Sequence, residues 1–488
     1  MDSRAPHFGE QRIYYNNFAA HLLNGYNPNM YYPGLPHRWT DEDWFRLIEM
    51  IAGFGFNAFE LWLEPRLFFR EGMESEAGRE FHRQMTAVAA HGHEHGVRTI
   101  LLTALATVGP DWRTLCPNLP EEWAEVRHLW DAWTRRFEIV DGVAIFPGDP
   151  GACSRNGCTA ETYIDRSAEI AGLIRCNLPQ AEIELGTWGP PFFGWGNLQY
   201  PEGWQGEFIP EYQHTAWDFS RERADRSMQH LLRRLPDFPD RTVVSINLGF
   251  NGNSDPAGEA NAIPWANEIA RQRPIRTWDF SLTEGENAVV PHYRFARLFA
   301  QRRRERAAAP YQGGICFTMT PRLNQLSLYE AAQSFLDPDA DSEGLASGFY
   351  ERLFGRAGRE LVPLLPLFEA IPDWGNCTRI ELTRGEYHCQ LTRLAECLRD
   401  LHPEAGQAVP FHPTVPEYRE ELLFFAELFS ALSGPSPDYD GLRQRYWQRV
   451  YPIYDQLPRH VDPRPHAATD RLIRHFVDRP DPGEPIGG

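Results

Sequence analysis

Strand-like and helix-like segments alternate eight times between Ile13 and Phe335, and few folds accept such a pattern. The predicted strands are Ile13–Phe18, Asn57–Glu64, Val97–Thr103, Gly142–Asp149, Glu182–Thr187, Thr242–Gly249, Ile275–Ser281 and Gly314–Thr320. Helix-length segments separate them at Asp41–Phe54, Glu76–Gly96, Glu121–Glu138, Thr159–Cys176, Asp218–Arg234, Pro264–Arg271, Pro291–Arg306 and Gln325–Phe335. Such alternation calls for a parallel sheet, and eight strands is the number that closes a barrel. The expected fold is therefore α/β, a (β/α)8 TIM barrel over residues 1–338. Local signals support the helix starts. Thr40 precedes Asp41-Glu42-Asp43 as an N-cap with acids in the first turn, and Pro120 and Pro291 suit first-turn positions.

After Asp337-Pro338-Asp339 the alternation stops. Segments Gly344–Phe354, Gly358–Ala370, Tyr387–Leu401, Pro416–Ser433 and Tyr439–Leu457 all read as helices. They define an expected all-α C-terminal domain over residues 339–475, followed by a Pro- and Gly-rich tail, 476–488, that lacks the apolar content to order itself.

Strand periodicity says what the barrel holds. Phe59, Leu61 and Leu63 alternate with Glu60, Trp62 and Glu64, and Val244, Ile246 and Leu248 alternate with Ser245, Asn247 and Gly249. Trp278 and Phe280 likewise alternate with Thr277, Asp279 and Ser281. Successive side chains of a strand point to opposite faces. If the apolar faces pack on the helices, the polar faces look inward, where barrels ordinarily hold Val, Ile and Leu. A working cavity is the expected result.

Composition removes several chemistries. The 48 basic residues are all arginine, against 67 acidic ones, for a net charge of −19. Without lysine there is no Schiff base and no P-loop. The acidic balance argues against nucleic acid as a partner. The densest basic run, Arg302-Arg303-Arg304 with Arg306, falls at a predicted helix end, where it complements the dipole. No uninterrupted apolar stretch reaches the ~18 residues of a membrane span, and the polar start, Met1 to Tyr15, lacks a signal peptide's apolar segment. Eight cysteines in 488 residues fit free thiols in a reducing compartment, so a cytoplasmic protein is expected.

Active sites of such barrels lie at the C-terminal ends of the strands. By this rule Glu60, Trp62, Glu64 and Arg66 collect after strand two, and Asp149 follows strand four between Gly148 and Pro150. Asp279, Glu284 and Glu286 collect at strand seven. Paired carboxyls are what glycoside hydrolysis needs, one as general acid and one as base or nucleophile. Asp149 is read as the acid, although Asp also favours turns for structural reasons. Asp279, Glu284 and Glu286 compete for the partner role, each with a structural alternative. The loop after strand five, from Trp188 through Trp195 to Trp217, is aromatic enough to stack on sugar rings or to form a packed cluster or dimer interface. Assembly into a homo-oligomer stays open. His21, Asn247, Asn251 and Arg322 complete the expected substrate-binding set.

Three other clusters read as structural. His91, His93 and His95 sit at a helix end on the opposite face of the barrel. Cys153 and Cys158 match no common zinc spacing and are read as loop-shaping thiols, with metal kept open by their nearness to Asp149. No metal and no organic cofactor is expected. Asn251-Gly252-Asn253-Ser254-Asp255 lacks the closing Glu of a calcium loop.

The run Leu323-Asn324-Gln325-Leu326-Ser327-Leu328-Tyr329-Glu330-Ala331-Ala332, continuing to Leu353-Phe354-Gly355, resembles the junction of barrel and helical domain in exo-acting glycoside hydrolases of the α-glucuronidase type, families 67 and 115. It is also similar to the β-N-acetylglucosaminidases of families 20 and 84, as is Trp44 through Gly55-Phe56-Asn57-Ala58-Phe59-Glu60. The resemblance implies a strand-four acid, in line with Asp149. Those hexosaminidases carry two adjacent carboxylates there, whereas Asp149 stands alone, so the likeness does not extend to substrate-assisted catalysis. Arg66, Arg155 or Arg322 could meet a sugar carboxylate, with ordinary salt bridging as the competing role. The expected function is hydrolysis of a glycosidic bond of an oligosaccharide or small glycoside. The rivals are a metal-dependent sugar isomerase, epimerase or lyase, separable by chelator sensitivity, and a carbohydrate-binding barrel without turnover.

Overall fold

The computed structural model describes residues 12–17, 40–63, 65, 67–109, 113–148, 153, 155–187, 221–247, 265–279, 290–291, 293, 295–317, 323–370, 382–402 and 415–450. Eight parallel strands close a barrel in sequence order: β1 (Arg12–Asn17), β2 (Ala58–Trp62), β3 (Arg98–Ala104), β4 (Gly142–Phe146), β5 (Glu182–Gly186), β6 (Thr242–Asn247), β7 (Ile275–Asp279) and β8 (Gly313–Phe317). Closure comes from β1, whose Tyr14 is in register with Ile315 of β8 and Ala58 of β2. The helices between strands are α1 (Asp41–Phe54), α2 (Glu76–Glu94), α3 (Pro120–Arg136), α4 (Ala160–Asn177), α5 (Arg221–Arg234), α6 (265–270), α7 (Phe295–Ala308) and α8 (Gln325–Leu336).

The local signals behave as their chemistry requires. Thr40 caps α1 in a full capping box with Asp43, and Pro120 opens α3 in its first turn. Pro291 does not open α7, which begins at Phe295. Strand four is shorter than expected. It ends at Phe146 because Gly148 turns the chain at φ 133°, a conformation that glycine adopts freely and a strand cannot use.

The two faces of the barrel wall separate cleanly. Phe59, Leu61, Val143, Ile145, Ile183, Leu185, Val244 and Ile246 join the helices in one continuous apolar core. Their alternates Glu60, Trp62, Glu184 and Ser245 therefore face the interior, and all four are buried. For β2 and β6 this is the predicted alternation. On β7 it is reversed at Thr277, whose hydroxyl lies 3.3 Å from Glu305 of α7, in the helix layer. Arg276 faces the interior instead, toward the acids of β5. The helix layer is tight here: a Cβ on Gly314 would meet Thr277 Cγ2 at 2.6 Å and collide with the Phe335 ring.

Beyond the barrel follow α9 (Ser342–Phe354), a 3-10 segment (Arg356–Ala370), α10 (Arg384–Asp400), α11 (Val415–Ser433) and α12 (Tyr439–Val450). The 3-10 segment replaces a predicted α-helix. It contains Pro363 and Pro366, which cannot donate the bonds of a regular helix. These helices share the apolar core of the barrel. At the contact, the hydroxyls of Tyr293, Tyr350 and Tyr418 form a buried triangle with edges of 3.0, 3.3 and 3.5 Å. Tyr293 lies just before α7, Tyr350 on α9 and Tyr418 on α11, so the triangle ties three segments together. Among the described residues, no helix is long and apolar enough to cross a membrane.

Candidate active site

The described part of the candidate site is the barrel interior. Glu60 and Trp62 stand two residues apart on β2 and are both fully buried. The Trp62 ring meets Phe146, the last residue of β4, edge to face at 5.1 Å between centroids. The aromatic pair thus spans the interior from β2 to β4, past the intervening β3, and Glu60 adds a carboxyl on the same face of β2 as Trp62.

Across the barrel lies an ionic layer that the sequence reading missed. Arg276 of β7 donates to both carboxylate oxygens of Glu182, at 2.6 and 2.9 Å, and its Nη1 is 3.7 Å from Glu184 Oε2. Glu182 is the first residue of β5 and Glu184 stands one inward position further along. Burial raises the Glu184 carboxyl to about 7, against the opposing pull of the Arg276 charge and the Ser245 hydroxyl. A carboxyl of this kind can hold or release a proton near neutral pH. The signal for it was present in the alternation Glu182-Ile183-Glu184-Leu185, which has the same polar-in pattern as β2.

The other expected residues fall into two groups. Asn247 and Asp279 close β6 and β7 at their C-terminal ends, where Asn247 is in register with Trp278 and Asp279 with Cys316. Their side chains are outside what is described. His21, Glu64, Arg66, Asp149, Trp188, Trp195, Asn251, Glu284, Glu286 and Arg322 lie outside the described residues altogether. Two residues read as candidate or dipole charges do other work. Arg155 is engaged by Glu122 at 2.7 Å and by the Thr114 carbonyl at 2.9 Å, which is the salt-bridging alternative. Arg302 is buried, bonded to Glu305, and stacked on Phe335 at 4.1 Å, so it packs the helix layer instead of complementing a helix end. Beside it is a cavity of about 300 Å³ lined by Thr277, Arg302, Glu305 and Phe335, outside the barrel wall.

The histidine cluster is where it was expected. His95 caps α2, and His91 and His93 on its last turn bond Glu49 at 3.1 Å and Asp141 at 2.8 Å. The cysteines lie after β4 as expected, with a third thiol beside them. Cys116, in the segment after β3, comes to Cys153 and Cys158 after β4, and all three are buried. Nothing in the spacing of Cys153 and Cys158 pointed to this third thiol.

Neither a protein-family model nor a curated protein matches the chain. Solved structures do. A mutant of the Thermobaculum terrenum O-GlcNAc hydrolase shares 12% identity over 97% of this chain and 94% of its own, with a TM-score of 0.52. A family GH138 enzyme targeting pectin rhamnogalacturonan II shares 9% identity over 96% of this chain and 66% of its own, with a TM-score of 0.51. At this identity the likeness is one of fold, and it spans barrel and following helices together.

Proposed function

We propose that the chain is a glycoside hydrolase whose active site is the C-terminal mouth of the barrel. The observation that carries the reading is the interior itself: Glu60, Trp62 and Glu184 are buried where a purely structural barrel would hold aliphatic side chains. Two proteins of the same fold, an O-GlcNAc hydrolase and an enzyme that targets a pectin, act on carbohydrate, which favours this chemistry over others the barrel can host.

In this reading Asp149 protonates the leaving oxygen, and Glu284 or Glu286 acts as base or nucleophile from the loop after strand seven. Asp279 is the weakest of the three candidates, because it shares a strand face with Thr277 and is in register with Cys316, both on the helix side of the barrel. Gly148, at φ 133°, turns the chain immediately before Asp149, which supports its role as the acid. His21, Glu60, Trp62, Glu64, Arg66, Trp188, Trp195, Asn247, Asn251 and Arg322 shape the pocket for an oligosaccharide or small glycoside, attacked from one end. The reading divides the chain into a barrel domain at 1–338 and a helical domain at 339–475, and places the enzyme in the cytoplasm.

The test is release of aglycone from a panel of aryl α- and β-glycosides, uronides included, by the unmodified protein and by Asp149→Asn. Turnover by the unmodified protein names the sugar, and its collapse in the variant on glycosides of weakly acidic phenols supports the proposal. No turnover on any member, or turnover of those glycosides that survives the substitution, counts against it.

A further inference from the structure

Three thiols meet where only two were expected. The sulfurs of Cys116, Cys153 and Cys158 all lie within 4.8 Å of one another, and Cys116 Sγ is 3.6 Å from Cys158 Sγ. That spacing is far beyond a disulfide's ~2.05 Å bond. It is close to the edge of a tetrahedron of thiolates around zinc, where Zn–S bonds of ~2.3 Å place sulfurs roughly 3.8 Å apart. A disulfide would also engage only two of the three. A shared cation uses all of them.

The surroundings suit a metal more than a set of inert core thiols. The Cys116 and Cys153 thiols are both directed at the Arg155 carbonyl, at 3.8 and 3.9 Å, and the Asn156 side-chain amide donates to Cys116 Sγ at 3.4 Å. The Asn156 N–H is a donor of the kind that steadies a thiolate, whereas the two contacts to the Arg155 carbonyl are made by thiol protons that a metal would displace. The tight turn is prearranged: Asn156 is left-handed at φ 51° and Gly157 at φ 72°, and Asn118 holds the Asn156 carbonyl at 3.0 Å. Three thiolates with a divalent cation leave a single negative charge, next to the Arg155 guanidinium that Glu122 also holds.

We infer that Cys116, Cys153 and Cys158 bind one zinc ion, which fastens the segment after β3 to the loop after β4. Among the described residues no fourth His, Cys, Asp or Glu joins the trio, so the fourth ligand is water or a group outside those residues. The site is buried and stands directly before Thr159, the N-cap of α4. Its role is structural: it anchors the far end of the loop that begins at Gly148. The inference stands whether or not the barrel hydrolyses glycosides.

The experiment is metal analysis of the full-length protein, produced with zinc in the medium and purified without a metal-affinity step. About one zinc per chain is expected, falling to roughly a tenth or less in Cys116→Ser and in Cys158→Ser. Cys176→Ser, which alters an exposed thiol, should keep the full complement. Should the serine variants fail to fold, the unmodified protein is stripped with a chelator and titrated with cobalt(II). Thiolate-to-cobalt absorption in the near ultraviolet, with intense tetrahedral bands in the visible, supports the site, and zinc should displace it. A protein without zinc that gives no such spectrum overturns the inference, as does a disulfide within the trio found by mass mapping. Zinc retained undiminished by a folded triple Cys→Ser variant overturns it equally.

Discussion

Arg276 holds Glu182 through two nearly parallel hydrogen bonds, 2.6 and 2.9 Å long, inside the barrel. The pair is the geometry in which a guanidinium binds a carboxylate most strongly. Its Arg276 end is 4% exposed, so neither charge can be abandoned without leaving the other in a poorly solvated place. Arg276→Met should therefore destabilise the fold by about 3–5 kcal/mol. Adding Glu182→Gln should recover a substantial part of that loss, because it removes the stranded charge. Denaturant midpoints of the two single variants and the double variant check this, and strictly additive losses would show that the pair contributes no coupling.

Glu184 yields a pH dependence whose sign can be worked out. Its carboxyl rises from 4.5 to about 7 on folding because burial opposes ionisation. The folded state thus binds more protons than the unfolded state between those values, and the stability this group contributes is lost as pH rises through about 7. Glu184→Gln removes the titration. Relative to the unmodified protein, the variant should become more stable by about 1.4 kcal/mol for each unit by which the carboxyl is raised, on going from pH 4 to pH 8. Urea denaturation of both proteins at the two pH values measures the difference. A constant difference between them would mean that Glu184 is not raised.

The tyrosine triangle predicts how firmly the later helices are joined to the barrel. The hydroxyls of Tyr293, Tyr350 and Tyr418 are fully buried, and burial raises all three, Tyr418 to about 12, so they act as neutral donors and acceptors. Tyr350→Phe removes the hydroxyl that lies 3.0 Å from Tyr293 and 3.3 Å from Tyr418, leaving those two 3.5 Å apart. The expected loss is about 1–3 kcal/mol, with barrel and helices still unfolding in one transition. Two separated transitions in calorimetry would show instead that this contact does not unite them.

Much of the barrel could be read from period-two patterning, because burial of one strand face is a strong and local requirement. That logic placed Glu60, Trp62 and Ser245 in the interior correctly. It failed at Thr277, since polarity reports the interior only while the outer face is apolar. Here a Thr277–Glu305 contact sits among the helices and an Arg276–Glu182 pair sits inside, each polar group satisfied by a partner distant in sequence. The Cys116 contact was hidden for the same reason. Its neighbours are brought to it by strand order, not by spacing along the chain. For Asp149 and the strand-seven acids, placement at the barrel mouth is an expectation from topology, and their chemistry has to be tested directly.

Leaving-group dependence provides that test. A general acid matters in proportion to how badly the departing oxygen needs a proton, whereas a nucleophile or base is needed whatever the leaving group. If Asp149 is the acid, Asp149→Asn should lose about 10²–10⁴-fold in kcat/KM on an alkyl glycoside or oligosaccharide. It should lose far less on an aryl glycoside with an acidic phenol, and the alkaline limb of its pH profile should disappear. Among Asp279→Asn, Glu284→Gln and Glu286→Gln, one variant should lose activity on both substrate types alike and the other two should stay near the unmodified rate. A flat response of Asp149→Asn to phenol acidity would reassign it to the base or nucleophile role. A strand-seven variant that showed the leaving-group dependence instead would exchange the two assignments.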